Sequence, residues 1–120
     1  MDLNRVTLIG NLAGDPELAK PRAGESVARF ALATNYRWQG SDKSTRERIE
    51  FHDVAAFGKL AEIIGVYVKR GSKIYVEGRL RTRTTEGKDG TRRKCTEVVA
   101  DNLIMLGHRG RREVPLAPPE

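Results

Sequence analysis

The sequence is poor in the residues that cross-link small folds. It has one cysteine, Cys95, and two histidines in 120 residues. A disulfide within the chain needs two cysteines, and cysteine-based zinc sites also need more than one, so both are excluded. A reducing cytoplasm fits this composition, and Cys95 is predicted to be a small, half-buried side chain in a strand.

Long apolar runs are also missing. No stretch approaches the roughly 18–20 apolar residues that cross a bilayer, and the N-terminal "MDLNRVTLIG" lacks the basic and then apolar layout of a signal peptide. We therefore expect a soluble cytoplasmic protein. Its length predicts one domain over residues 1–107, and the proline-rich residues 108–120 predict a flexible tail or the start of a linker.

Acidic residues are outnumbered by basic ones. The sequence holds 22 lysines and arginines against 16 acidic residues, and thirteen of those 22 lie in residues 61–120. This excess favours a polyanionic partner such as nucleic acid, although a solvated basic surface gives the same composition. A membrane surface is less favoured, because the predicted helix carries few basic residues.

Apolar residues alternate over most of the chain, which predicts strands. Strands are expected in "NRVTLIGNLA", in "SVARFALATNYRW" with Phe30 in the core, and over residues 49–57. Between them, "GDPELAKPRAGE" predicts a turn and "QGSDKSTRER" an exposed loop. "GKLAEIIGVYVKRG" has helical spacing of Leu60, Ile63, Ile64, Tyr67 and Val68, with cations and a glycine at its end.

The last third predicts a long hairpin. "SKIYVEGRLRTRT" would bury Ile74, Val76 and Leu80, "EGKDG" would turn, and "TRRKCTEVVADNLIML" would return. Gly78 predicts a bulge or sharp bend. The whole order predicts an all-β fold with one helix, a five-stranded OB-fold barrel with a long hairpin between its fourth and fifth strands.

Aromatic residues number only seven, yet two of them share a strand face with a charge. On a strand over residues 49–57, Phe51, Asp53 and Phe57 point to one side. Such a face is poorly suited to a core. It is suited to water or to a flat ligand.

Five segments resemble the successive motifs of the bacterial single-stranded DNA-binding protein (SSB) family. They are "NRVTLIGNLAGDPE", "FALATNYRW", "EFHDVAAFGKLAE", "GSKIYVEGRLRTR" and "TEVVADNLIMLG", and they cover residues 3–107 in order. The resemblance implies sequence-nonspecific binding and protection of single-stranded DNA in replication, recombination and repair. It implies a homotetramer built as a dimer of dimers, no catalysis and no cofactor.

The resemblance also assigns residues. It implies base stacking by Trp38, Phe51 and Phe57, phosphate contacts by Arg5, Lys59, Arg70, Arg81 and Arg83, and an oligomer interface at His52 and Tyr75. Arg92, Arg93 and Lys94 form a second basic cluster, for which a solvated turn is an equal interpretation.

Two departures from the family stand out. Many SSB proteins have a further stacking tryptophan just after "LRTR", where this chain has Thr85. SSB proteins also end in an acidic tip that recruits replication and repair proteins, whereas this sequence ends at "VPLAPPE". Such partners are therefore expected only if a tip exists beyond this chain.

Two alternatives remain open at this point. One is an SSB-like primosomal replication protein, usually dimeric, which the three aromatics make less favoured. The other is a metal-dependent nuclease using Glu50, His52 and Asp53. On a strand, however, Glu50 and His52 face away from Asp53, and nothing else in the sequence supplies converging ligands.

Overall fold

The protein folds as a small closed barrel capped by one helix. The structure is a computed structural model that describes residues 1–20 and 24–108. Its elements in chain order are β1 (Val6–Leu12), β2 (Glu17–Ala19), β3 (Val27–Gln39), β4 (Thr45–Phe57), α1 (Lys59–Tyr67), β5 (Ser72–Glu86) and β6 (Arg92–His108). The residues predicted to form a tail lie, from 109 onward, outside the described part.

Five strands close the barrel in the order β1-β5-β6-β4-β3, and β3 returns to β1. The closing contact is short, pairing Asn11 with Ala33 and Leu12 with Leu32. In the described part of the chain, all strand pairings are antiparallel except that of β4 with β6. This arrangement confirms the predicted OB-fold, and the predicted long hairpin is β5–β6 because the short β2 adds one strand to the numbering.

The core follows from the alternation along each strand. Phe30 is buried as expected, and so are Ile74 and Val76 on the first arm of the hairpin. The apolar cluster contains Leu12, Ala28, Phe30, Leu32, Val54, Ala56, Ala61, Ile64, Val68, Ile74, Val76, Val98 and Ala100. Burial of these side chains is the main source of stability in a fold without cross-links.

Helix α1 is shorter than predicted. It ends at Tyr67, and the N–H of Val68 donates to the Ile64 carbonyl at 2.9 Å. Tyr67, which shares the predicted helical spacing with Leu60 and Ile64, is 64% exposed, and Lys69 follows the last turn rather than lying in it. Only a narrow stripe of the helix meets the barrel. No helix of the described residues is long and apolar enough to span a membrane.

The β3–β4 hairpin extends further than the sequence indicated. Residues 39–48 were predicted to be a loop, but β3 continues to Gln39 and β4 begins at Thr45. This end of the ribbon lies beyond the barrel, so both of its faces are polar and no apolar alternation marks it. Residues 17–19, predicted to lie in a turn, instead pair with β3 as β2.

The β5–β6 hairpin confirms the predicted turn, since its strands end at Glu86 and resume at Arg92. The pairing register shifts at Gly78, which confirms the bulge, although the extra residue is Asp101 on the opposite arm. A side chain at Gly78 would meet the Val99 carbonyl oxygen, because a Cβ there would lie 2.0 Å from it. Leu80 was predicted to be buried but is 48% exposed, because it follows the point where the hairpin leaves the barrel.

Candidate nucleic-acid interface

Two phenylalanine rings lie on the outer face of β4, the face turned away from the core. Phe51 pairs with Ala33 on β3, and Asp53 pairs with Ala31. These neighbours are too small to cover the face, so the Phe51 ring is 64% exposed. Phe57 lies on the same face and is half-buried. The arrangement predicted from alternation is therefore present.

The hairpin brings basic side chains to this face. Arg81 and Arg83 alternate along β5, and the guanidinium carbon of Arg81 lies 5.1 Å from the centre of the Phe57 ring. This distance is within the range of a cation–π contact. Thr85 follows on the same face of β5 and is half-buried. The structure thus places Phe51, Phe57 and both arginines on one surface.

A buried carboxylate organises these arginines. Glu97 on β6 pairs with Arg81 across the hairpin and is 4% exposed. Its carboxylate accepts from Arg81 and lies 3.4 Å from Nε of Arg83 and 3.6 Å from Nε of Arg29. Burial alone would raise the pKa of Glu97, but the Arg81 hydrogen bond and the three positive charges hold that pKa below its ordinary value of 4.5.

Neither Arg29 nor Glu97 was identified from the sequence. The available signal was an acidic residue between apolar ones in "TEVVA", which indicates a carboxylate held against a partner inside a sheet. The partners come from β3 and β5, far away along the chain. Alternation along the strand could therefore indicate that Glu97 is buried, but not which arginines it contacts.

A cleft of about 400 Å³ opens beside this surface. It lies between the β1–β2 connection and the hairpin, the two flanks between which OB-folds commonly bind oligonucleotides. Its lining residues include Asp15, Glu17, Arg29, Asp53, Arg83, Cys95 and Glu97. Cys95 is half-buried, as predicted.

Trp38 is placed differently from the two phenylalanines. It pairs with Arg46, an odd number of residues from Phe51, so its side chain points to the opposite face of the β3–β4 ribbon. There its ring stacks on Tyr36 with centres 5.7 Å apart, and the Arg48 guanidinium lies 6.0 Å from the ring centre. The ribbon therefore carries aromatic rings on both faces.

The three other predicted phosphate ligands lie at separate positions. Arg5 precedes β1 and lies 3.4 Å from the Glu77 carboxylate. Lys59 begins α1, two residues after Phe57, and is exposed. The backbone N–H of Arg70 donates to Asp15 at 2.8 Å, which places Arg70 beside the cleft. Lys59 thus lies two residues from Phe57 in the chain and Arg70 lies beside the cleft, whereas Arg5 pairs with Glu77 on β5.

His52 and Tyr75, the predicted interface residues, lie away from that surface. His52 contacts the Thr34 hydroxyl at 2.8 Å. The Tyr75 hydroxyl donates to Glu77 at 2.8 Å, and this hydrogen bond raises the pKa of Tyr75 and lowers that of Glu77. Tyr75 is flanked across the sheet by Ile9 and Ile104, both about half exposed. Together with Tyr75, these two isoleucines form an exposed apolar strip that was not predicted from the sequence.

Glu50, His52 and Asp53, the residues considered for a nuclease site, do not converge. Glu50 pairs with Thr34 and His52 with Leu32, whereas Asp53 lies on the other face, opposite Ala31. Within residues 1–20 and 24–108 no group of three histidine, cysteine or acidic side chains could hold a metal ion.

Comparison with known proteins gives consistent matches. A single-stranded DNA-binding protein of Neisseria meningitidis serogroup B is 43% identical over 109 residues, which cover 91% of this chain and 63% of that protein. One from Xanthomonas axonopodis pv. citri is 44% identical over 108 residues, covering 90% and 60%. The chain therefore spans about three fifths of the length of these curated relatives.

Solved structures match as well. The Plasmodium falciparum SSB in complex with ssDNA has a TM-score of 0.79 at 28% identity, covering 88% of this chain and 96% of that chain. A deletion mutant of the single-stranded DNA binding protein from Thermus aquaticus has a TM-score of 0.77 at 30% identity, covering 91% and 52%. Residues 3–106 match the Single-strand binding protein family, and with the OB-fold barrel this match shows that the chain belongs to that family.

Proposed function

We propose that this chain binds single-stranded DNA without sequence preference and protects it during replication, recombination and repair. The observation that carries this proposal is the exposed Phe51 ring on the same surface as Phe57, Arg81 and Arg83. Every unpaired base has a flat π face that can stack on such a ring, while arginines attract the backbone phosphates. Stacking uses the flat face that every base has and not the hydrogen-bonding groups at its edge, so little sequence preference is expected.

The experiment is a titration with oligo-dT at several salt concentrations. Affinity should fall steeply with salt, because each phosphate that an arginine or lysine neutralises releases counterions, with a slope of about −0.7 per contact on single strands. If the logarithm of the affinity does not change between low and physiological salt, the predicted phosphate contacts of the lysines and arginines are wrong.

The proposal includes a binding role without catalysis or a cofactor. It is supported by Glu50, His52 and Asp53 pointing to two faces of β4. Incubating labelled single strands with magnesium or manganese distinguishes the nuclease alternative. Intact strands agree with a coating protein, and shortened strands would favour the nuclease.

For assembly, we infer a homotetramer built as a dimer of dimers. The support is the half-exposed strip of Ile9, Tyr75 and Ile104, together with the β1 edge, which among the described residues pairs with β3 only at Asn11 and Leu12. An exposed apolar strip beside an open strand edge is typical of an oligomer contact. Light scattering at micromolar concentration should give about four times 13.4 kDa, and a monomer mass would remove the interface roles of His52 and Tyr75.

The setting is inferred from the relatives. They are proteins of bacteria such as Neisseria and Xanthomonas, which supports action in the bacterial cytoplasm at the nucleoid. Docking of replication and repair proteins would require an acidic tip beyond this chain. Mass spectrometry of the native protein, followed by a pull-down with residues 1–120 and with any longer native form, tests that requirement.

A further inference from the structure

Three arginines from different strands converge on one buried carboxylate. Arg29 comes from β3, while Arg81 and Arg83 come from β5, and all three surround Glu97 of β6. Their side chains keep about two fifths of their surface exposed, whereas Glu97 is 4% exposed. Within this group three positive charges meet one negative charge, and the carboxylates of Asp15, Glu17 and Asp53 line the adjoining cleft. We call the three arginines and Glu97 the arginine cluster.

Most hydrogen-bond donors of the arginine cluster are not used within the protein. A guanidinium offers five N–H donors, and a carboxylate has about four acceptor positions. Within the described part of the chain, only Arg81 donates hydrogen bonds to Glu97, and Arg29 and Arg83 are held there by charge alone. Nε of Arg29 is buried 3.6 Å from the Glu97 carboxylate, so an outside anion would meet the exposed part of this guanidinium instead. The cluster therefore has unused capacity for a second anion.

The neighbouring carboxylates do not take up that capacity. Asp15, Glu17 and Asp53 line the same cleft as Arg29 and Arg83, and Asp15 accepts a hydrogen bond from the backbone N–H of Arg70. Within the described residues, however, the only ion-pair partner of Arg29 and Arg83 is Glu97. Arg81 also lies against the Phe57 ring, so an anion bound here would be next to a base stacked on that ring.

We propose that Arg29, Arg81 and Arg83 bind one phosphodiester of single-stranded DNA together, and that Glu97 is a positioning residue. Glu97 holds the three guanidiniums in place in the free protein, and the phosphate replaces it as their main counter-ion when DNA binds. This inference rests on the proposed function. It adds Arg29 to the residues that contact DNA. It also means that the Glu97 carboxylate competes with the DNA phosphate and so lowers the affinity for DNA.

Glu97→Gln tests whether Glu97 competes with DNA, because glutamine keeps the shape of the side chain and removes its negative charge. In the free protein the three guanidiniums would then repel one another, so the melting temperature should fall. Oligo-dT affinity at fixed salt should rise by about threefold or more, the size of one partly exposed ion pair, because the competing anion is gone. A purely structural carboxylate would lower stability without tightening binding.

Arg29→Gln tests the added ligand while Glu97 stays paired with Arg81 and Arg83. It should weaken oligo-dT binding by about threefold to tenfold and reduce the salt slope by about 0.7, one phosphate contact. Arg29→Lys should restore the slope but only part of the affinity, because an ammonium lacks the planar fork. The control is Lys73→Gln, which removes one exposed positive charge near the start of β5 and should leave the slope unchanged.

The outcomes separate the two proposals. If the parent protein does not bind oligo-dT, the proposed function fails before any variant is compared. If the parent binds but Arg29→Gln behaves like Lys73→Gln, the phosphate role of Arg29 is wrong. If Glu97→Gln binds no tighter than the parent, Glu97 does not compete with DNA. Should Glu97→Gln fail to fold, the proposal is judged on Arg29, and an unchanged salt slope for Arg29→Gln would overturn it.

Discussion

Thr85→Trp should strengthen DNA binding by adding a stacking ring to the hairpin. Thr85 lies on the same face of β5 as Arg81 and Arg83, two residues beyond Arg83, or about 7 Å along the strand. A tryptophan there would continue the surface that begins at Phe57. One stacked base is worth roughly 1–3 kcal/mol, and we expect the lower end, about fivefold in affinity, because the hairpin is exposed.

Replacing Thr85 should cost little stability. Among the described residues, the Thr85 hydroxyl makes only long contacts, 3.5 Å to the Arg93 carbonyl oxygen and 3.7 Å to the Cys95 sulfur. The assay is a fluorescence titration with dT oligonucleotides at fixed salt, with melting curves recorded for each variant. The matched control is Thr84→Trp, which places the same ring on the opposite face of β5. Equal gains from both variants, or none from Thr85→Trp, would refute the proposed DNA path along the hairpin.

Three further predictions concern the ribbon, the bulge and the buried carboxylate. Trp38→Ala should weaken oligo-dT binding by about 1 kcal/mol or more in the same titration; parent-like affinity would mean that bases do not reach the Trp38 face. Gly78→Ala should lower the free energy of unfolding in urea by about 1–3 kcal/mol, since the Val99 backbone cannot easily move away from the new Cβ, and an unchanged midpoint would contradict this. The lowered pKa of Glu97 means that its contribution to stability is complete above its ordinary value of 4.5 and is lost as pH falls through the lower folded value. Acid unfolding followed by circular dichroism should therefore show a smaller loss of stability for Glu97→Gln than for the parent. Equal losses in the two proteins would contradict this role of Glu97.

The barrel could be predicted because its strands alternate apolar and polar residues wherever one face is buried. Phe30, Ile74 and Val76 were placed in the core on this basis, and the structure buries all three. The prediction was wrong where the same strands leave the barrel. Leu80 is apolar and in phase with Ile74 and Val76, yet it is 48% exposed, because alternation reports the phase of a strand and not the extent of the core.

The candidate surface was only partly accessible to sequence reasoning. Phe51 and Phe57 could be placed on one face because they belong to one strand, where parity is enough. Arg29 and Glu97 could not, since their contact depends on how β3, β5 and β6 curve around the barrel. Trp38 was grouped with the phenylalanines through family resemblance, and its place on the other face of the ribbon follows from a pairing register that no single strand reveals.

That register has a consequence for variation in length. β3 and β4 pair without interruption from Val27 and Phe57 to Gln39 and Thr45. Residues added or removed between Gly40 and Ser44 would change only the turn and leave every ring where it is. A single residue deleted within β4, between Phe51 and Phe57, would reverse the side to which the Phe51 ring points. The ribbon can therefore vary freely at its tip, whereas changes inside its strands must come in pairs to keep each ring on its own face.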